Sequence, residues 1–169
     1  MKFRLESPEH QIQAIKSVVS IFDGLEKNIP DNAQIEDIYA NVCSLRPQQI
    51  WDNIHRVAEE NGITEANAHY AETNDVCIEM ETGTGKTLTY LQTAYELYKE
   101  HGFTKFVIIV PSVPIRQGVI DTFENFKEQL DDKYGFTPNA FVYDSSRLSK
   151  LRDFITQDYP QIMILTMAS

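Results

Sequence analysis

The stretch 79–90, EMETGTGKTLTY, holds the residues of this chain whose types and spacing suit phosphate chemistry. A nucleotide phosphate carries several negative charges, and a protein binds it where a strand ends in a glycine-rich turn whose N–H groups point inward at a helix N-terminus. TGTGKT is built that way. Gly83 and Gly85 admit backbone conformations closed to side chains, the Lys86 ammonium can reach the β- and γ-phosphates, and the Thr87 hydroxyl can bind Mg²⁺. With Thr82 and Thr84 completing the turn, residues 82–87 form the candidate nucleotide-binding segment, and Lys86 and Thr87 are its catalytic candidates. The general pattern begins with a glycine where this chain has Met80. A surface turn rich in Thr and Gly is the bland alternative, but it does not account for Lys-Thr directly after Gly-Thr-Gly between a strand and a helix.

Other polar residues have simpler readings. Glu79 and Glu81 flank Met80 and project to one side of a strand, where they support the loop by hydrogen bonds or order a water near Mg²⁺. FVYDSS (141–146) imitates an apolar strand followed by a metal-binding Asp, yet Ser145 and Ser146 open a helix and make Asp144 a natural cap. His10, His55, His69 and His101 show no metal spacing. Cys43 and Cys77 read as reduced, partly buried thiols.

The cradle needs a strand before it and a helix after it. Residues 75–80 alternate as a strand, 86–102 form a helix stopped by Gly102, and 105–111 form a buried strand. The spacing then predicts a helix over 115–130 with Ile115, Val119, Phe123, Phe126 and Leu130 on one face. A strand over 140–144, a helix over 145–158 and a last strand over 161–167 follow. This alternation implies an α/β fold, a parallel sheet with helices on both faces. The first 74 residues read as a helical preamble: a helix over 7–24 entered through Ser7 and Pro8, a second over 32–43, and a third from Pro47 to Gly62. The expected division is a helical segment over 1–74 and a partial nucleotide-binding domain over 75–169.

At 169 residues and 42% hydrophobic, the chain can bury one continuous core. Fifteen basic against twenty-five acidic side chains give a formal charge of -10, which disfavours a surface that grips nucleic acid by long-range attraction. Any such contact must be local. No run approaches the roughly 18 apolar residues of a membrane span, so the expectation is a soluble, cytoplasmic protein with no membrane partner.

The segments HQIQAI, IFDG, IEMETGTGKTLTYL, GFTKFVIIVPSVPIRQGV, FVYDSSRLSKLRDF and IMIL together resemble the restriction (Res) subunit of type III restriction-modification enzymes, a superfamily-two helicase-like ATPase with an attached endonuclease domain. That family also has Met at the position of Met80. The resemblance implies a RecA-like phosphate-loop fold with ATP and Mg²⁺ as cofactors, double-stranded DNA as substrate and a modification methyltransferase as partner subunit. It makes Gln11 the glutamine that reads the adenine edge. It also makes PSVPIRQG (111–118) the motif that touches the nucleic-acid backbone, through Ser112 and Arg116. The family commonly has Ala at Pro114 and Glu at Gln117.

On this resemblance the chain is the N-terminal part of a larger subunit and holds an incomplete first motor domain. Neither the acidic motif that holds Mg²⁺, nor the second motor domain, nor the nuclease lies within it. The expectation is that the chain binds nucleotide but is inactive alone. The rival readings are a type I restriction motor, another superfamily-two helicase, or a non-catalytic nucleotide-binding module. Thr166 is too isolated a signal to assign.

Overall fold

The computed structural model describes residues 8–63 and 75–168. Helix α1 (Glu9–Ser20) is followed by a single helical turn, α2 (Pro30–Ala33), and a two-stranded hairpin of β1 (Gln34–Ile35) and β2 (Ile38–Tyr39). Next come α3 (Pro47–Glu60), α4 (Lys86–His101) and β3 (Lys105–Val110). The chain then continues through α5 (Val113–Tyr134), β4 (Asn139–Val142), α6 (Leu148–Thr156) and β5 (Gln161–Thr166). The last three strands form a parallel sheet in the order β3-β5-β4, with Lys105 opposite Gln161 and Asn139 opposite Gln161 on the other side. Parallel neighbours require helical crossovers, and α5 and α6 supply them.

The core follows the strand alternation. Val110, Ile162 and Ile164 are buried in one cluster with Leu88, Leu91 and Tyr95 of α4 and Val119, Phe123 and Leu130 of α5, with Phe106, Ile108 and Ala140 packed against it. Burial of each such side chain contributes about 1.5–3 kcal/mol. The Tyr95 hydroxyl donates to Asp131 at 3.2 Å and that of Tyr134 to Glu96 at 2.9 Å, so α4 and α5 are also tied by polar bonds. On the other face Phe154 of α6 meets Phe141 of β4 edge-to-face at 5.9 Å, while Val107 and Ile109 of β3 are exposed.

The N-terminal third is fastened to this layer. Phe22 packs edge-to-face on Phe103 at 5.0 Å, and a ring nitrogen of His101 lies 3.0 Å from the Val19 carbonyl. Asn28 N–H donates to the His101 carbonyl at 2.9 Å, and Asn41 Oδ1 accepts from the N–H groups of Thr104 (2.8 Å) and Lys105 (3.0 Å). Gly102 is required at this crossing. Its φ is +71°, and a Cβ there would lie 2.0 Å from the Asn28 carbonyl oxygen.

Several expectations are corrected. Residues 32–43 do not form a helix: Ile35 and Ile38 are spaced as on a helical face, but the same spacing pairs them directly across the two-residue turn at Glu36 and Asp37. The Asn32 side chain, accepting from Ile29 N–H at 2.8 Å, caps the start of the one-turn α2. Residues 75–80 are not a strand. Their alternation supplies strand propensity, but no described strand pairs with them, and Val76 and Ile78 remain exposed. They border instead, with α1 and α3, a groove of about 920 Å³.

Cys43 and Cys77 are exposed free thiols, not partly buried ones. The helix expected over 145–158 begins only at Leu148, because Asp144 Oδ1 accepts from Ser146 N–H at 2.9 Å and hydroxyl at 2.6 Å and holds a turn there. Ile115 is half exposed although it belongs to the expected apolar face. Ser7, His69 and the expected division at 74/75 lie at or within segments outside the described residues.

Lys105 opens β3 beside the end of α6. Its ammonium donates to the Gln157 carbonyl and stands 5.8 Å from the Phe154 ring centroid. Burial pushes its pKa down to about 8 from the ordinary 10.5, against the opposing pull of Asp158. The unfolded chain therefore keeps a proton that the folded chain has released between about pH 8 and 10.5, so stability should rise with pH in that window. Urea midpoints of wild type and Lys105→Met should show the wild type gaining on the variant from pH 7 to 10. A difference that is flat, or runs the other way, would contradict the assignment.

Candidate functional site

The cradle begins at Met80, turns through Glu81–Gly85 and enters α4 at Lys86. Gly83 and Gly85 both have φ of +84°, and Gly85, with ψ of 32°, is the left-handed N-cap of α4. Thr84 N–H and hydroxyl close the turn on the Glu81 carbonyl, at 3.4 and 2.6 Å. Lys86 Nζ is directed back over the turn, donating to the carbonyls of Met80 and Glu81, the latter at 2.8 Å. A phosphate entering the turn meets an ammonium already suspended above it. The exchange replaces neutral acceptors with charged ones, whose bonds are about twice as strong.

Residues 82–87 form the turn and the first residues of α4, with Lys86 exposed and Thr87 half-buried at the helix N-terminus. The Tyr90 phenol is raised above its ordinary pKa by burial, and a side-chain hydrogen bond with Thr87 partly offsets the rise.

Gln11 reaches the same place from α1. It is 5% exposed, and its Nε2 donates to the Thr84 carbonyl at 2.8 Å. A Cβ on Gly85 would lie 2.4 Å from that nitrogen, so positive φ and close approach both select glycine. The expectation placed Gln11 at an adenine edge, donating and accepting at once. In the structure one Nε2 hydrogen is committed to the loop, and the buried Oε1 has no hydrogen-bond partner among the described residues. His10, which the sequence singled out only for lacking metal spacing, lies with Nε2 3.2 Å from the same Thr84 carbonyl. Its adjacency to Gln11 was the signal available.

The second candidate element sits at the same end of the layer. Helix α4 returns through Gly102–Thr104 into β3, so its N-terminus and the C-terminal end of β3 face the same side, and Leu88 and Val110 share the core there. Crevices at the carboxyl ends of parallel strands are where such sheets bind ligands. Ser112 is the N-cap of α5, but its side chain makes no capping bond, which leaves the hydroxyl for other partners. Ser112 and Arg116 are both half-buried, and Arg116 N–H donates to the Ser112 carbonyl at 3.0 Å. Thr166 is buried at the end of β5, opposite Val110. The side chains of Glu79 and Glu81 are exposed, and it is the backbone carbonyl of Glu81 that supports the loop. Among the described residues no group of three or more His, Cys, Asp or Glu could hold a metal ion, and no helix is long and apolar enough to cross a membrane.

A glycine-rich turn at the head of a helix, beside a parallel three-stranded sheet, is compatible with an α/β protein of the nucleotide-binding class. Comparison with known families makes this specific: the family described as "Type III restriction enzyme, res subunit" matches residues 4–167. The Res subunit of the type III restriction-modification enzyme EcoP15I of Escherichia coli is 33% identical over 141 residues, and that of EcoPI of Escherichia phage P1 is 34% identical over 141. Each alignment covers 82% of this chain and 14% of the relative. The StyLTI Res subunit of Salmonella typhimurium is 30% identical over 119 residues, 70% of this chain and 9% of the relative. The chain belongs to the type III restriction enzyme Res subunit family, and spans about one seventh of the length of the first two relatives.

The contact between Gly85 and Gln11 is testable by a double-mutant cycle. Gly85→Ala should cost about 1–3 kcal/mol from left-handed strain alone, plus the displacement of the buried Gln11 amide. Gln11→Ala should cost about 0.5–1.5 kcal/mol for its bond to Thr84. Because Gln11→Ala removes the obstacle, the two substitutions together should cost less than the sum by at least about 0.5 kcal/mol in chemical denaturation. Additive losses would show that the two residues do not share this contact.

Proposed function

We propose that this chain is the ATP-binding part of the restriction subunit of a type III restriction-modification system, with a RecA-like fold. The whole subunit would couple ATP hydrolysis to translocation along, and cleavage of, double-stranded DNA in company with a modification methyltransferase subunit. The observation that carries this reading is the convergence on one turn of Lys86, Thr87 and the buried Gln11. Lys86 would move from the loop carbonyls onto the β- and γ-phosphates, and α4 would direct its N-terminal dipole at them. Mg²⁺ would be held by the Thr87 hydroxyl together with phosphate oxygens, the usual way this ion is shared with a nucleotide. Gln11 Oε1 has no hydrogen-bond partner among the described residues and, once uncovered, would accept from the exocyclic amine of adenine. Ser112 and Arg116, with the first N–H groups of α5, suit DNA phosphate oxygens.

Titration with a fluorescent ATP analogue tests the cradle. Lys86→Ala should lose about 1.5–3 kcal/mol, roughly ten- to a hundredfold in affinity, and equal affinity for both proteins would remove the nucleotide from this turn. In the same assay ATP should compete better than GTP, since guanine presents a carbonyl where adenine presents an amine. Gln11→Ala should narrow that ratio. An unchanged ratio would take Gln11 out of base recognition.

Turnover is a separate matter. Hydrolysis in phosphate-loop enzymes draws on cations set against the transition-state charge, and an arginine supplied from elsewhere is worth roughly 10³–10⁵ in rate. The loop itself supplies Lys86. The 169-residue chain should therefore bind ATP without measurable phosphate release, with or without duplex DNA. DNA-stimulated release that Lys86→Ala abolishes would show that these residues already hold a complete motor.

A further inference from the structure

The residue beside Gln11 has its own geometry toward the loop. His10 and Gln11, both in the first turn of α1, direct Nε2 atoms at the single carbonyl of Thr84, from 3.2 and 2.8 Å. A backbone carbonyl oxygen has two lone pairs and no proton, so two donors satisfy it, and the imidazole nitrogen facing it must carry hydrogen. This carbonyl belongs to the peptide whose other edge is the N–H of Gly85, the N-cap of α4. In a planar trans peptide the carbonyl and the N–H point in opposite directions. Fixing the Thr84 oxygen toward α1 therefore fixes the Gly85 N–H away from α1. The residues of this peptide and its neighbour cannot do this themselves, because the Thr84 hydroxyl is engaged with Glu81 and Gly83 and Gly85 have no side chain.

We propose that His10 is a positioning residue of the phosphate site: its Nε2–H donates to the Thr84 carbonyl and, with Gln11, locks the Thr84–Gly85 peptide so that the Gly85 N–H is presented to a bound phosphate. The inference rests on the nucleotide reading of the loop and adds to it a group outside the phosphate-binding motif. The division of labour follows from burial. Gln11 is enclosed, whereas His10 is exposed and supplies the second bond from the solvent side. With His10 removed, one donor holds the carbonyl and the peptide can rock about that bond. The helix N-terminus then loses part of the preorganisation that makes it a phosphate site.

The experiment compares wild type, His10→Phe, His10→Gln and Lys86→Ala of the 169-residue chain, titrated with a fluorescent ATP analogue and melted thermally. His10→Phe keeps a ring of similar size without a donor, and should weaken ATP binding about 2- to 12-fold, the range of one neutral hydrogen bond. Its melting temperature should match the wild type, since the side chain is exposed. His10→Gln restores a donor at comparable reach and should restore affinity. Wild-type affinity in His10→Phe, or failure of His10→Gln to recover what His10→Phe loses, would overturn the proposal. Lys86→Ala separates the two levels of inference. If it binds ATP as well as wild type, the nucleotide reading falls and this proposal with it. If Lys86→Ala loses affinity while His10→Phe does not, only the role of His10 falls.

Discussion

The site depends on the docking of α1 against the start of α4. A glycine-rich turn alone is a weakly specified segment, because each glycine adds conformations that folding must remove. Here the turn is held at Thr84 by donors from a helix more than seventy residues earlier in the chain, and at Glu81 by Thr84 and Lys86. The first hold is rigid because α1 is itself anchored. Ile15 is buried, His101 meets the Val19 carbonyl, and Phe22 packs on Phe103. The N-terminal third therefore helps to set the shape of the phosphate loop. A substitution just past the end of α1, at Phe22 for example, would act on the loop through this chain of contacts.

The arrangement of charge in the loop is local to it. Lys86 is spent on backbone carbonyls rather than on Glu79 or Glu81, whose side chains stand exposed nearby in sequence. A carboxylate partner would compete with phosphate on nearly equal terms. Carbonyl dipoles hold the ammonium near the turn yet give it up to an anion, since charge-assisted bonds are the stronger kind. The loop is thus organised without being neutralised.

Much of this was legible in the sequence where a single physical cause acts. Helices α1, α3 and α4 are bounded by Pro8, Pro47 and Gly102, and β3 and β5 are apolar runs too short for helices; in each case the local signal and the tertiary environment agree. The failures came where one pattern has two solutions. Ile35 and Ile38 fit a helix face and a hairpin pair equally, and the positive φ of Glu36, at 55°, is not a preference that glutamate advertises. Residues 75–80 carry a strand alternation, but a strand is a relation between two segments and the pattern names no partner. In the site, TGTGKT marked its own residues. That the bond from Gln11 goes to Thr84, and that His10 shares its acceptor, could not be read, because pairings across 73 and 74 residues leave no local trace.

Electrostatics ties the two candidate elements together. With a formal charge of -10 the chain as a whole repels polyanions, and over a Debye length of about 8 Å at physiological ionic strength only nearby groups oppose that field. Phosphates can be accepted only where donors are fixed and concentrated. On the proposed reading the α4 N-terminus with Lys86 and the α5 N-terminus with Arg116 would be two such places, and both lie at the carboxyl end of the sheet. They are connected by construction, since α4 runs into β3 and β3 into α5. Leu88 of α4, Val110 of β3 and Val119 of α5 share one packed core. The two helix N-termini are thus built on the same core.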